Sequence, residues 1–239
     1  MRSPHVPSPR HSPRLPAAPW AGAVAVTAAL AWLTLVATRW PPLMSVDRAV
    51  AEALHRRAVA EPGLVQVNRV LTDWVWDPWT MRALTAVVVI ALWRRGARPL
   101  ALWAAATSLL ASLVQQGLKY VVGRERPQWA DPVDTAQYAA FPSGHVMTMA
   151  VSCGVLLWLL RLYGAGPGAW GAAVAVAVVS TVGVAVTRVY LGVHWLSDVV
   201  GGVLLGAAVV TLSTAAYARR TARPAPAEAR PEAKTTPRA

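Results

Sequence analysis

LALWAAATSLLASLVQQGLKYVVGRERP, residues 100–127, carries no charge as far as residue 118 and then delivers Lys119, Arg124 and Arg126 within eight positions. An uncharged apolar run of about 20 residues is long enough to cross the hydrocarbon of a bilayer as a helix. Five more apolar segments share this character: 20–38, 79–93, 143–160, 169–186 and 195–217. The chain of 239 residues is 55% hydrophobic and only 14% charged, where soluble domains run near a quarter charged. The fold class expected is all-α: a polytopic bundle of six transmembrane helices. Segment 79–93 is the weakest, because fifteen residues rise only about 22 Å. It is expected to borrow from Trp74 and Trp76 or to thin the bilayer locally, and those two residues with Trp79 read as an interfacial belt.

The rest of the chain divides around these spans. Residues 1–19 and 219–239, rich in Pro, Ala, Ser and charge, read as disordered cytoplasmic tails. Residues 20–218 form the membrane domain, with 100–217 as its motif-bearing core. A signal peptide would also begin with Arg, but segment 20–38 is long for one and no small-residue cleavage site follows it. It reads as an uncleaved first span. Residues 40–78 read as an extracytoplasmic amphipathic segment. Val46, Val50, Ala53 and Leu54 repeat at helical spacing, with Arg48, Glu52, His55 and Arg56 elsewhere on the wheel, as in a helix lying on the membrane surface. A second short helix is expected over 64–71.

A net charge of +12 in a soluble protein would point to nucleic acid. Here it is a matter of topology, because membrane proteins keep Arg and Lys at cytoplasmic ends. With the N-terminus inside, Arg2, Arg10, Arg14, Arg94, Arg95, Arg98, Arg161 and the basic C-terminal tail are all cytoplasmic. The third and fifth loops then lie outside. The lone Cys153 excludes an internal disulfide and a cysteine-based metal cluster, and its apolar neighbours point to plain packing.

Three polar stretches sit at span edges facing those two loops: Lys119-x6-Arg126-Pro127, Pro142-Ser143-Gly144-His145, and Arg188-x5-His194-x3-Asp198. Polar clusters at that depth are costly unless they work. Pro142 stops a preceding helix and Ser143 is a good N-cap. The free amides that follow form an anion site, and Gly144 allows close backbone approach. A capped helix start with a chance histidine would look the same. His194 and Asp198, four apart, share a helix face. The carboxylate can hold one ring nitrogen and leave the other as a nucleophile, or the two can be a structural pair. Arg188 fits a bidentate phosphate clamp, or it snorkels to the interface, as Lys119 could. Arg124 and Glu125 read as a solvated pair or as part of a cationic patch, and Asp131 and Asp134 as loop solvation. His145, His194 and Asp198 could in principle bind zinc, but the flanking cations would repel it, so no metal and no cofactor are expected.

Together the three stretches resemble the signature of the type-2 phosphatidic acid phosphatase superfamily, which spans membrane lipid phosphatases, bacterial acid phosphatases and vanadium haloperoxidases. Thr187 stands where that pattern has Ser before Arg188, and it keeps the hydroxyl. The resemblance implies that His194 attacks phosphorus to give a phosphohistidine. Asp198 orients His194, and His145 serves as general acid and base. Lys119, Arg126, Ser143, Gly144 and Arg188 hold the phosphate oxygens. It implies a metal-independent lipid phosphatase of the bacterial plasma membrane, acting on its outer face. Its substrates would be an isoprenyl diphosphate such as undecaprenyl diphosphate, phosphatidic acid or phosphatidylglycerol phosphate. The bilayer is the partner and no nucleic acid is expected. A lipid phosphotransferase using the same residues, or a non-catalytic binder or transporter of anionic lipids, remains as an alternative.

Overall fold

The computed structural model describes residues 19–222. The expected tails 1–19 and 219–239 therefore lie almost wholly outside the described residues. Among those described all regular structure is helical, and the longest non-helical stretch is 123–143. The helices are α1 (Pro19–Ala37), α2 (Pro41–Ala60), α3 (Pro62–Val70), α4 (Pro78–Arg94), α5 (Arg98–Val122), α6 (Gly144–Leu162), α7 (Pro167–Tyr190) and α8 (Leu196–Ala222). Six apolar stretches are long enough to cross a membrane: α1, α3 running on into α4, α5, α6, α7 and α8. They coincide with the six apolar segments of the sequence. The chain is a multi-pass membrane protein.

Proline marks the starts of α2, α3, α4, α5 and α7, where its missing N–H is no loss. The Asp77 carboxylate caps α4, accepting from the Trp79 amide at 2.6 Å and the Thr80 amide at 3.1 Å. The second apolar stretch, Pro62–Arg94, takes in Trp74 and Trp76 as expected, and the cap marks where its regular helix α4 begins. The polypeptide leaves α3 through one widened turn, Leu71–Val75, closed by the Trp76 amide on the Leu71 carbonyl at 2.8 Å. α8 runs to Ala222, past the expected start of the tail at 219. Arg219 and Arg220 fall in its last turn, where cations complement the helix dipole.

α6 and α8 form the centre, with α1 on the outer side of α8 and α4, α5 and α7 around α6. Small residues let the two central helices close up. A Cβ on Gly202 would lie 3.0 Å from the Ser143 carbonyl, and one on Gly206 would lie 2.9 Å from the Ala150 Cβ. Close backbone approach is the usual route to helix association in lipid, where hydrophobicity gives no drive. At the opposite end Trp103, Trp158 and Tyr217 stack together, joining α5, α6 and α8.

α2 departs from the expected wheel. Its buried residues are Asp47, Ala51, His55 and Ala58, while Val46 is 47% exposed. The small and polar stripe faces protein, because its partners there are the polar start of α8 and the loop 123–142. His55, expected on the surface, stacks on Trp129 with ring centroids 3.9 Å apart and meets Asp131 at 3.0 Å. Asp131 is thus a tie between α2 and the loop, and the bond to His55 holds its carboxyl below the usual range.

Candidate active site

The ends of α5, α6, α7 and α8 meet at one face of the bundle. Lys119 lies in the last turn of α5 and donates to the Ala139 carbonyl at 2.5 Å. The loop 123–142 then brings back Arg126, whose guanidinium is clamped by carbonyls: Tyr138 at 2.9 Å, Gln137 at 3.0 Å and Val193 at 2.5 Å. The same group stands 3.2 Å from His194 Nε2. Arginine has no acceptor atom, so Nε2 must present its lone pair. The ring proton is then on Nδ1, which faces Asp198 Oδ2 at 3.4 Å.

His194 sits in the turn between α7 and α8, not on the helix, so the expected shared helix face is replaced by a turn that folds back. Gly192, at φ +68°, makes that turn, and Trp129 packs where a side chain on it would go. The His194 ring is 2% exposed. Burial holds its pKa well below the ordinary imidazole value, and the cations of Arg126, Arg188 and Lys119 push the same way. At neutral pH it is uncharged.

Ser143 occupies the N-cap position of α6 as expected, but its hydroxyl makes no cap. It is buried without a partner, while its amide donates to the Asp198 carbonyl at 3.1 Å. Gly144 opens α6 against the flexible Gln115 amide. His145 is half-buried within electrostatic reach of Lys119, Arg126, Arg188 and His194. Arg188, only 5% exposed, bonds Thr72 at 3.4 Å and leaves its Nε unpartnered. All eight expected residues therefore belong to one cluster.

Asp47 is the residue that the sequence did not single out, and Arg124 is the one whose role it left open. Asp198 Oδ1 accepts from Arg124 at 2.6 Å, and the other arm of Arg124 reaches Asp47 at 2.6 Å. Asp47 also accepts from the Ser197 amide at 2.8 Å and its hydroxyl at 2.5 Å. Asp47 is 1% exposed and sits at the positive N-terminus of α8. Arg124 is thus no solvated partner of Glu125. The available signal was a carboxylate eight residues before a histidine on one face of α2.

Charge decides what the cluster can hold. Arg124 with Asp47 and Asp198 sums to one negative charge, and Lys119, Arg126 and Arg188 add three positive charges without an ion-paired carboxylate of their own. Burial and Arg188 pull Arg126 down to about 10, which leaves it charged at neutral pH. Three cations with no direct carboxylate partner, gathered beside a helix N-terminus, suit an anion such as phosphate.

The family model described as the PAP2 superfamily matches residues 100–222. The chain belongs to the PAP2 superfamily. It is a membrane phosphatase, a hydrolase of phosphoric esters. The PAP2 chain is 32% identical over 168 residues to decaprenylphosphoryl-5-phosphoribose phosphatase of Mycobacterium tuberculosis, covering 67% of this chain and 85% of that relative. It is also similar in fold to a crystal structure, a transmembrane PAP2-type phosphatidylglycerolphosphate phosphatase from Bacillus subtilis. The TM-score there is 0.72 at 22% identity, over 85% of this chain and 98% of that one.

Proposed function

We propose that this PAP2 chain removes a terminal phosphoryl group from a lipid head group through a phosphohistidine on His194. The carrying observation is Arg126 against Nε2, which leaves a neutral His194 with its lone pair aimed among three cations. Nε2 attacks phosphorus, and the bond to the leaving oxygen breaks with its electron pair staying on that oxygen. His145 gives the leaving oxygen a proton. Asp198, braced by Arg124, Asp47 and Ser197, stabilises the positive charge that the His194 ring acquires. His145 then takes a proton from water, the resulting hydroxide attacks phosphorus, and the N–P pair returns to Nε2. Lys119, Arg126, Arg188, the Ser143 hydroxyl and the Gly144 amide hold the equatorial oxygens.

The substrate is a lipid-linked phosphate, since the site opens at the end of six membrane helices. The names of the relatives favour a phosphorylated polyol on a lipid, of which phosphatidylglycerol phosphate is one. The membrane is a bacterial plasma membrane with the site on its outer face. Arg94, Arg95, Arg98 and Arg161 stand at the opposite helix ends, as expected for the cytoplasmic side. The test is phosphate release by purified protein. His194→Ala is expected to abolish release and to leave no phosphoenzyme on acid-quenched gels, while the protein still inserts. Turnover surviving in that variant would rule out the mechanism.

A further inference from the structure

A second polar feature lies beside the site, inside the membrane. α4, α5 and α6 enclose a cleft of about 280 Å³, lined by Arg82, Thr85, Ser108, Ser112, Gln115 and Thr148 among apolar residues. Arg82 is its one charged residue. It is half-buried, lies over the Trp79 ring at 5.1 Å, and forms no hydrogen bond or ion pair with any described residue. Arg82 thus has an aromatic ring beside it but no carboxylate to neutralise it, and a cation so placed at the membrane edge favours an anionic ligand. The larger groove between α2, α6, α7 and α8, of about 750 Å³, has no charged residue, so it suits a hydrocarbon chain and not an anion.

Position relates the cleft to catalysis. Gln115 lies one helical turn before Lys119, and its amide packs against Gly144. Thr148 lies one turn beyond Gly144 on α6. The cleft therefore begins where the phosphate cradle ends, about one turn or 5.4 Å deeper in the membrane. A lipid whose head group ends in a phosphomonoester, and whose second phosphoryl group joins the polyol to the lipid, presents two anions in that order. A glycerol or ribose spacer is about as long as the step between the two sites. The substrate names of both relatives contain two phosphoryl groups of this kind.

We propose that this cleft binds the second, non-scissile phosphoryl group of such a lipid, with Arg82 as its counter-ion and the Thr148 hydroxyl and Gln115 amide as donors, since the Thr85, Ser108 and Ser112 hydroxyls already donate to helix carbonyls. The proposal rests on the catalytic reading above and fixes the substrate class within it. The experiment compares phosphatidylglycerol phosphate and a polyprenylphosphoryl-ribose 5-phosphate with phosphatidic acid and a polyprenyl monophosphate, in mixed micelles. Wild-type protein should favour the two lipids with two phosphoryl groups. Arg82→Gln should lower kcat/KM on those two by about tenfold or more, the size of one charge-assisted hydrogen bond, mainly through KM. It should leave the single-phosphate lipids unchanged, and Arg82→Lys should recover part of the loss. Equal losses on all four lipids, no loss on any, or a wild-type preference for the single-phosphate lipids would overturn it. Failure of the catalytic reading looks different, because it would appear as turnover by His194→Ala on every lipid.

Discussion

Replacing Asp47 by Asn would leave Arg124 with one buried carboxylate in place of two. Arg124 would then draw harder on Asp198, and Asp198 would hold the Nδ1 proton of His194 less well. Misplacement of a reacting group by about 1 Å costs about 10²-fold, so Asp47→Asn is expected to lower kcat by up to roughly that factor with KM little changed. Slower phosphoenzyme formation in rapid-quench measurements separates this from simple loss of folded protein. A second expectation concerns pH. The pKa of His194 lies below that of a free imidazole, so the nucleophile stays neutral until the pH falls through that lowered value. The acid limb of kcat/KM should therefore lie below about 6.5, the usual imidazole value. Arg126→Gln removes one of the cations that depress His194 and should move that limb upward, whatever it does to the rate. The same shift acts on stability. The unfolded chain takes up the proton more readily than the fold, so stability falls as the pH drops below the free imidazole value.

Between α6 and α8 the contact that matters is backbone to backbone. A Cβ on Gly202 meets the Ser143 carbonyl at 3.0 Å and the Met147 amide at 3.2 Å, and neither can rotate away. Gly202→Ala should push the start of α6, with its Ser143 and Gly144, off the phosphate. The expected cost is about 1–3 kcal/mol, as for overpacking, together with a loss of activity. Gly154→Ala meets only the Val210 side chain at 3.0 Å, so it should lower thermal stability while sparing turnover of the protein that remains folded. These helices were legible in the sequence because uncharged length alone marks a span, and the boundaries agree to within a few residues. The candidate site was legible because its spacings are local: Lys119 to Arg126, Arg188 to His194 to Asp198. What was not legible is long-range. Nothing near Asp47 reveals that Ser197 and Arg124 are its partners. The apolar repeat on α2 suits a helix lying on the membrane surface, and what it does not reveal is that the stripe of Asp47, Ala51, His55 and Ala58 turns inward against protein.

Viewed whole, the molecule carries aromatic residues at two levels. Trp40, Trp74, Trp79, Tyr120 and Tyr138 stand exposed near the active-site face, and Trp20, Trp93 and Tyr163 near the other, as in the aromatic belts of membrane proteins. If the arginines at the second level mark the cytoplasmic side, the proposed active site is outside, and labelling tests this. In a Cys153→Ala background, Thr135→Cys should react with a membrane-impermeant maleimide added to intact cells. Gly166→Cys should react only after the cells are opened. The opposite labelling pattern would place the chemistry inside.

The brace of Asp47 on the start of α8 also has a consequence for biosynthesis. α2 follows the first span off the ribosome, whereas α8, with Asp198 and with His194 just before it, is the last of the six to enter the bilayer. The Trp32 indole of α1 donates to the Ser197 carbonyl at 2.9 Å, so both early elements close on the same point of the late one. With His194 as the nucleophile, a partly inserted chain would have its cations in the membrane but nothing to orient that ring, and hydrolysis would begin only when the early and late parts of the chain meet.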